Sequence, residues 1–453
     1  MPEWETSRAA APQWRNRQSD INILVNQKEL LYVFSCLTIK YKNNMKDICF
    51  MKKRIVFVII TVIIMLPVLL ACPNTPPGSP VEYITIQGVR YSTSLTELEL
   101  SDPPYHTGMS MEEIQNRVLL QDEDIIPLRY MTNLTALHLY AEQITDISPL
   151  SNLANLTELH LYGSHIADIT PLSKLKNLDN LFLGLNQDKA VDIKPLSNLK
   201  NLTMLDLSRS HISDVTPLSN LKNLWYLNLS MNRIIDLTPL SKLTKLTRLD
   251  LSNNWQINDL KPLSDLTNLI YLDLNNNKIT DISPLSRLVD ITHLNLSFNQ
   301  ISDISVLANL TNLTELWLAE NQISDITPLA GLISLTELLQ LGNNQITDIS
   351  HLSNLLNLKQ LFLGGNRISD IVPLSGLTNL NTLVLSDNRQ INNINPLSNI
   401  TKLTYLDLEN IPISDISPLS GLTELYHLRL IGNNITDWSP VDHLDFVVGK
   451  PMD

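Results

Sequence analysis

The chain has 453 residues and is acidic, with 46 Asp and Glu against 33 Lys and Arg and a formal net charge of −13. Residues 1–71 hold 10 of the basic and 5 of the acidic residues, so the rest is more acidic than the whole. Such a surface repels phosphate backbones, which argues against nucleic acid as a partner. Cys36, Cys49 and Cys72 are the only cysteines and all precede residue 81, so we expect neither disulfides nor cysteine-bound metal beyond it.

Residues 51–72 have the layout of an export signal. Residues 52–54 are basic, an apolar run extends over 55–70, and small Ala71 precedes Cys72. The segment that ends at Cys72 resembles a bacterial lipobox, in which the cysteine sulfur is acylated and the chain is cut just before it. Plain cleavage and an uncleaved membrane anchor are the alternatives, although Pro67 interrupts a run that is short for a bilayer span.

The chain divides into six predicted parts. Because signals start at the N-terminus, the first part is interpreted as a non-native or mis-assigned extension, with a real cytoplasmic extension as the alternative. The predicted order is an extension over 1–50, a lipoprotein signal peptide over 51–71, a proline-rich tether over 72–80, an N-terminal cap with a degenerate repeat over 81–133, fourteen repeats of about 22 residues over 134–444, and the end of a C-terminal cap over 445–453. Within the N-terminal cap, strands are predicted from Thr85 to Tyr91 and from Leu95 to Leu100.

An internal repeat governs most of the chain. Its template is L-x-x-L-x-L-x-x-N-x-I-x-D-I-x-P-L-x-x-L-x-x. The L-x-L core predicts a short strand with inward leucines, and the Asn at position nine can satisfy buried backbone groups. The Asp at position thirteen, followed by Ser or Thr and then Pro, predicts a capped tight turn or 3₁₀ helix on the outer side. The fourteen copies open at Leu134, Leu156, Leu178, Leu202, Leu224, Leu246, Leu269, Ile291, Leu313, Leu335, Leu358, Leu380, Leu403 and Leu425.

These copies resemble the internalin-type leucine-rich repeats of bacterial surface proteins, and the resemblance covers about 370 of the 453 residues. It implies a leucine-rich-repeat solenoid with a curved parallel β-sheet on the concave face and short 3₁₀ or helical turns on the convex face. It also implies that the concave face binds partners. Together with the export signal, this predicts a non-catalytic cell-surface module for a protein or glycan, exported and lipid-anchored through Cys72 to the outer face of a bacterial cell membrane.

Two other functions remain open. One is an envelope scaffold that organises other exported proteins. The other is an intracellular role, because some eukaryotic phosphatase regulators carry similar 22-residue repeats. The sequence contains no nucleophile elbow, metalloprotease motif or phosphate loop, so we predict neither an enzyme nor a cofactor.

Ring side chains mark the predicted binding face. Template positions three, five and seven point outward from the sheet, and each position forms a row across neighbouring strands. Exposed rings on a rigid sheet are typical interface anchors, although rings also favour strands without any ligand. The first predicted group is His138, Tyr140, His160, Tyr162 and Phe182, and the looser second group is Tyr226, Tyr271, His293, Trp317 and Phe362.

Two groups of side chains on the same face offer possible metal ligands. A zinc site at the two histidines of the first group lacks a third ligand in the sequence, so no metal is predicted there. A row of acidic and amide side chains could bridge a cation or a basic partner, or could be solvated and internally hydrogen-bonded. That row consists of Asp206, Asn228, Asp250, Asp273 and Asn295.

Overall fold

The computed structural model describes residues 81–102, 119–162, 165–184, 190–444 and 446–451. The predicted signal, the tether and Cys72 lie outside these ranges, as does Asn186 of the repeat template. Val81–Asp453 form one compact unit. Among the described residues, no helix has the length and apolar character needed to cross a membrane.

One long parallel sheet organises this unit. Its sixteen strands, β3 to β18, follow one another in chain order, and β1 and β2 form a separate antiparallel hairpin. The strands are β1 Tyr83–Ile86, β2 Val89–Ser92, β3 Glu97–Ser101, β4 Ala136–Tyr140, β5 Glu158–Tyr162, β6 Asn180–Gly184, β7 Met204–Asp206, β8 Tyr226–Asn228, β9 Arg248–Asp250, β10 Tyr271–Asp273, β11 His293–Asn295, β12 Glu315–Trp317, β13 Leu338–Gln340, β14 Gln360–Phe362, β15 Thr382–Val384, β16 Tyr405–Asp407, β17 His427–Arg429 and β18 Val447–Val448.

Short 3₁₀ helices return the chain on the opposite side. An α-helical turn, Asp122–Ile125, precedes the first of them. The 3₁₀ helices are Ile126–Tyr130, Ser148–Asn152, Thr170–Lys174, Lys194–Asn198, Thr216–Leu218, Thr238–Leu240, Lys261–Leu263, Ser283–Arg287, Ser305–Asn309, Thr327–Leu329, Ser350–Leu352, Val372–Leu374, Asn395–Leu397, Ser417–Leu419 and Ser439–Val441. The predicted solenoid, with a parallel sheet on one face and 3₁₀ turns on the other, is confirmed.

The strands alternate between core and surface, as their period of two requires. In β10, Leu272 is buried, whereas Tyr271 and Asp273 on either side of it are part-exposed. Leu272 aligns with Leu249 of β9 and Leu294 of β11, so the inward leucines stack from repeat to repeat. The core is therefore one continuous column of aliphatic side chains, and each fully buried leucine contributes about 1.5–3 kcal/mol.

Buried asparagines join each repeat to its neighbour. The Nδ2 of Asn299 donates to the carbonyls of Leu274, Leu296 and Ser297 at 3.0 to 3.2 Å, and its Oδ1 accepts from the N–H of Ile279 at 3.0 Å. Both Leu274 and Ile279 belong to the preceding repeat. The amide therefore satisfies backbone groups of two successive repeats where the chain leaves the sheet, as the template predicts.

A carboxylate accepts a backbone hydrogen bond at the entry to most outer turns, and the amide oxygen of Asn393 does so at another. In the repeat that opens at Leu313, Oδ1 of Asp325 accepts from the backbone N–H of Thr327 at 2.8 Å. The hydroxyl and the N–H of Thr327 hold the pKa of Asp325 below its ordinary value. The donor of this hydrogen bond is a backbone N–H group. Lys261 and Val372 therefore donate the same hydrogen bond although their side chains carry no hydroxyl. The predicted cap is present, and Ser or Thr is not required for it.

One predicted strand is a hairpin instead, and one template position has a left-handed backbone. The predicted strand from Thr85 to Tyr91 is wrong, because Gln87 and Gly88 have φ of 47° and 81° and fold the segment into the β1–β2 hairpin. The residue before the template asparagine also adopts the left-handed region, even where it is as bulky as Met231 or Phe298 (φ 56° in both). Neighbouring backbone holds it there, since the N–H of Met231 donates to the carbonyl of Ser252.

The asparagine ladder yields a stability prediction. Asn299→Ala should lower the free energy of unfolding by about 1–3 kcal/mol, because it leaves buried backbone groups of two repeats without partners. Asn277 donates in the same way but its Oδ1 accepts no hydrogen bond, since the inserted Trp255 lengthens the turn that would supply the donor. Asn277→Ala should therefore cost about 1 kcal/mol less. Urea denaturation of the two variants measures the difference, and equal losses would contradict this account of the ladder.

Candidate functional site

Template position five forms one row along the whole concave face. The strand register aligns His138 of β4, His160 of β5 and Phe182 of β6, and continues to Asp206 of β7. Farther along, the row reaches Trp317 and ends in charged and aliphatic residues. This row is therefore ring-rich at its N-terminal end and carries acidic and amide side chains in the five repeats that follow.

The first predicted group is a contiguous ring cluster, here called the N-terminal patch (His138, Tyr140, His160, Tyr162 and Phe182). The two imidazoles stack with centroids 4.1 Å apart, and the two tyrosine rings stack at 5.6 Å. Phe182 lies 4.4 Å from the ring of His160. Burial, followed by the charge of Asp206, raises the pKa of Tyr162 to about 12, so its hydroxyl is neutral at ordinary pH.

Glu158 is the residue of this region that the sequence analysis missed. Its Oε1 accepts from Nε2 of His138 at 2.9 Å and lies 3.0 Å from Nε2 of His160. Burial, and next the neighbouring imidazole of His138, lower the pKa of His160. Glu158 stands two residues before His160 on the same strand, so the i, i+2 spacing of one sheet face was the signal that could have identified it.

A glycine makes room for the tyrosine stack. A Cβ at Gly184 of β6 would lie 2.6 Å from Cδ1 of Tyr162, which is closer than van der Waals contact allows. The ring of Tyr162 therefore extends over the next strand only because that strand carries no side chain there. Gly184 lies outside the positive-φ region, so an alanine there would displace the ring without straining the backbone.

The second predicted group does not form one cluster. Tyr226 lies 6.3 Å from Phe182 and thus borders the N-terminal patch. Tyr271 lies 6.1 Å from His293 and also packs under the guanidinium of Arg248, 3.9 Å from the ring centroid.

Trp317 and Phe362 stand apart from that pair. They are on β12 and β14, and Gln340 of β13 lies between them in the row. A site built from the whole second group would therefore need a partner that spans several strands.

The acidic row is internally hydrogen-bonded. Oδ2 of Asp206 accepts from Asn228, and Oδ2 of Asp273 accepts from Asn295. Burial, then the charge of Asp250, raises the pKa of Asp273 to about 6, although a hydrogen bond from the N–H of Asn275 opposes the shift. These carboxylates accept hydrogen bonds at the point where the chain leaves the strand.

Comparison with known proteins decides the family. A model described as Leucine Rich repeats (2 copies) matches most of the chain from residue 132 onward. The matched ranges are 132–174, 200–242, 244–287, 267–309, 289–331, 311–354, 356–399 and 401–443. The chain belongs to the leucine-rich-repeat family. No curated protein matches it.

Solved structures place this leucine-rich-repeat protein beside the internalins. An internalin (inlF) from Listeria monocytogenes is 36% identical, with a TM-score of 0.59 over 72% of this chain and 89% of that one. A leucine-rich-repeat protein of Leptospira interrogans is 26% identical, with a TM-score of 0.66 over 78% and 90% of the two chains. A plant peptide hormone receptor, RGFR1 in complex with RGF2, shares the fold at 24% identity, with a TM-score of 0.58 over 71% and 56% of the two chains.

The acidic row of this leucine-rich-repeat protein yields a pH prediction. With a folded-state pKa of about 6 against an ordinary value of 3.8, Asp273 binds its proton more tightly when folded. Its contribution to stability therefore falls as pH rises between these two values. Asp250→Asn should lower the pKa of Asp273, because it removes the neighbouring charge. A carboxyl carbon NMR titration measures this, with the exposed Asp265→Asn as a control. An unshifted Asp273 in the Asp250→Asn variant would contradict the assignment.

Proposed function

We propose that the protein binds a protein ligand on the concave face of its repeats, with the N-terminal patch as the main contact. The observation that carries this proposal is the continuous packing of five rings on three adjacent strands. Leucine-rich-repeat folds of this kind typically act as non-enzymatic binding scaffolds, which agrees with the absence of catalytic motifs in the sequence. A glycan is the alternative ligand, since stacked aromatic rings offer flat apolar faces.

The chemistry of the patch suits an interface. Tyr140 is 37% exposed, and the other rings are part-exposed, so a partner can contact them while their neighbours hold them in place. Pre-positioned rings lose little side-chain entropy on binding, which is why aromatic anchors dominate many interfaces. The plant receptor of the same fold was solved in complex with RGF2, which supports a ligand-binding use of this fold.

We also propose that the protein acts at the outer face of a bacterial membrane, anchored by lipid on Cys72. This proposal rests on the basic, apolar and small-residue order of residues 52–72 and on the similarity to an internalin. The tether over 72–80 would hold the repeats away from the membrane, because its prolines favour extended backbone.

Replacing the rings should weaken the contact. The triple variant Tyr140→Ser, Tyr162→Ser, Phe182→Ser should bind a partner captured by the wild-type chain at least about tenfold more weakly, because it removes the apolar anchors. Isothermal titration measures the affinity, and circular dichroism confirms the fold. The matched control is Trp317→Ser with Phe362→Ser, which removes rings from the same row elsewhere. Unchanged affinity in the triple variant would exclude the patch, and a loss of affinity in the Trp317–Phe362 variant instead would indicate that region.

Gly184→Ala provides a second probe that removes no side chain. The added methyl group should push the ring of Tyr162 out of its stack and weaken binding of the same partner. Gly331→Ala is the control, because a Cβ at that position meets no neighbouring atom within 4 Å. Equal affinity of these two variants would show that the tyrosine stack does not contribute.

Cys72→Ser tests the anchor independently. We expect the wild-type chain to incorporate labelled fatty acid, to begin at Cys72 when mature and to partition with membranes. The variant should lose the label, because the acylated sulfur is gone. The variants Cys36→Ser and Cys49→Ser serve as controls and should keep it. Labelling that persists in Cys72→Ser would refute lipid attachment at this residue.

A further inference from the structure

Three side chains of two adjacent strands converge on one point of the concave face. The Nε2 atoms of His138 and His160 lie 2.9 and 3.0 Å from the same atom, Oε1 of Glu158. The ligand atoms of these residues all lie within 4.8 Å of one another. In the described part of the chain, no other group of three or more His, Cys, Asp or Glu side chains meets that distance.

The donor set and spacing match a first-row transition metal. Two imidazole nitrogens and one carboxylate oxygen form a zinc-binding set, and bonds of about 2.0–2.2 Å in tetrahedral geometry place ligand atoms roughly 3.3–3.6 Å apart. The observed separations of 2.9 and 3.0 Å are within a small adjustment of that spacing. Calcium and magnesium prefer oxygen ligands, so this set disfavours both.

The hydrogen bonding at this point is incomplete. Nε2 of His138 donates to Oε1 of Glu158, whereas Nε2 of His160 is shielded from solvent and lies 3.0 Å from the same oxygen without good hydrogen-bond geometry. A shielded ring nitrogen without a well-aligned partner is costly, and a metal ion would satisfy it.

We propose that His138, Glu158 and His160 bind a zinc ion on the concave face of the first two repeats. Both imidazoles coordinate through Nε2, so His138 carries its remaining hydrogen on Nδ1 in the bound form. An ion held by three side chains keeps a fourth position for water or for an atom of a ligand. The zinc proposal does not depend on partner binding, because the metal alone tests it.

Binding requires a limited rearrangement of the rings. The two imidazoles are now stacked with their planes 21° apart, and the hydrogen on Nε2 of His138 must move to Nδ1 before both rings can coordinate. Rotation about the soft χ2 torsions turns both lone pairs toward one ion. His138 and His160 expose 29% and 18% of their side chains, and Glu158 exposes 34%, which leaves the ion a path from solvent.

The chain contains a matched control pair. His293 of β11 and Glu315 of β12 are also adjacent across two strands, with Nε2 and Oε1 3.3 Å apart. This pair has a single imidazole and a single carboxylate. It therefore reproduces the ion-pair chemistry of the proposed site without its third ligand.

Titration with zinc chloride tests the proposal. The full chain in detergent, with Cys36, Cys49 and Cys72 replaced by serine so that thiolates do not compete, should bind one zinc ion at this site by isothermal titration. The variants His138→Ala, His160→Ala and Glu158→Gln should each weaken binding by more than about 100-fold, since even the loss of outer-shell partners costs 10–100-fold. His293→Ala should leave the affinity unchanged.

Cobalt substitution provides a spectroscopic signal that does not depend on folding alone. Cobalt(II) at the site should give the visible absorption of a tetrahedral ion, and this absorption should vanish in Glu158→Gln while circular dichroism stays unchanged. The proposal is overturned if the parent chain binds no zinc, or if its zinc affinity survives the loss of either histidine. It is also overturned if the cobalt spectrum is the same in Glu158→Gln.

Discussion

The fold depends on the satisfaction of backbone groups between neighbouring repeats. Each repeat is too small to bury its own leucines, and its chain turns sharply twice, leaving N–H and C=O groups inside. Stacking of neighbouring repeats buries the leucines, and the template asparagine satisfies the backbone groups, as Asn232 shows. Its Nδ2 donates hydrogen bonds to carbonyls of its own repeat and of the preceding repeat. Its Oδ1 accepts a hydrogen bond from the N–H of Ile212. Removing a neighbour would therefore expose both apolar surface and unpaired backbone.

This constraint fixes the geometry of the outer face as well as the core. Because every strand must meet its neighbour in the same register, each outward template position becomes a straight row about 4.8 Å from one strand to the next. The first two repeats use that spacing to stack His138 on His160 and Tyr140 on Tyr162. The same spacing places Asp250 beside Asp273, where the mutual charge helps to raise the pKa of Asp273. A rigid repeat thus produces ring clusters or charge repulsion, depending on the residues that occupy the row.

The family, the parallel sheet and the outer turns were predictable from the chain alone, because a period of 22 residues admits one arrangement of inward leucines. The ring cluster at the start of the array was also predictable, since strand register follows directly from the template. The arrangement of the second predicted group was less predictable. Its members share the face, yet Gln340 separates Trp317 from Phe362, and Tyr226 belongs beside Phe182. The positions of aromatic residues in the sequence do not specify which of their side chains contact each other.

The sequence by itself determined the repeat register, the positions of the buried asparagines and of the capping aspartates, and the rows that face outward. Each of these follows from local periodicity. Only the tertiary structure decided which side chains converge. It brought Oε1 of Glu158 to both histidines, a contact set by rotamers on two strands. The ring of Tyr162 extends over Gly184. Met231 and Phe298 keep a positive φ because their N–H groups donate hydrogen bonds to carbonyls of the next repeat. These features depend on contacts between residues about 20 positions apart, which no local pattern encodes.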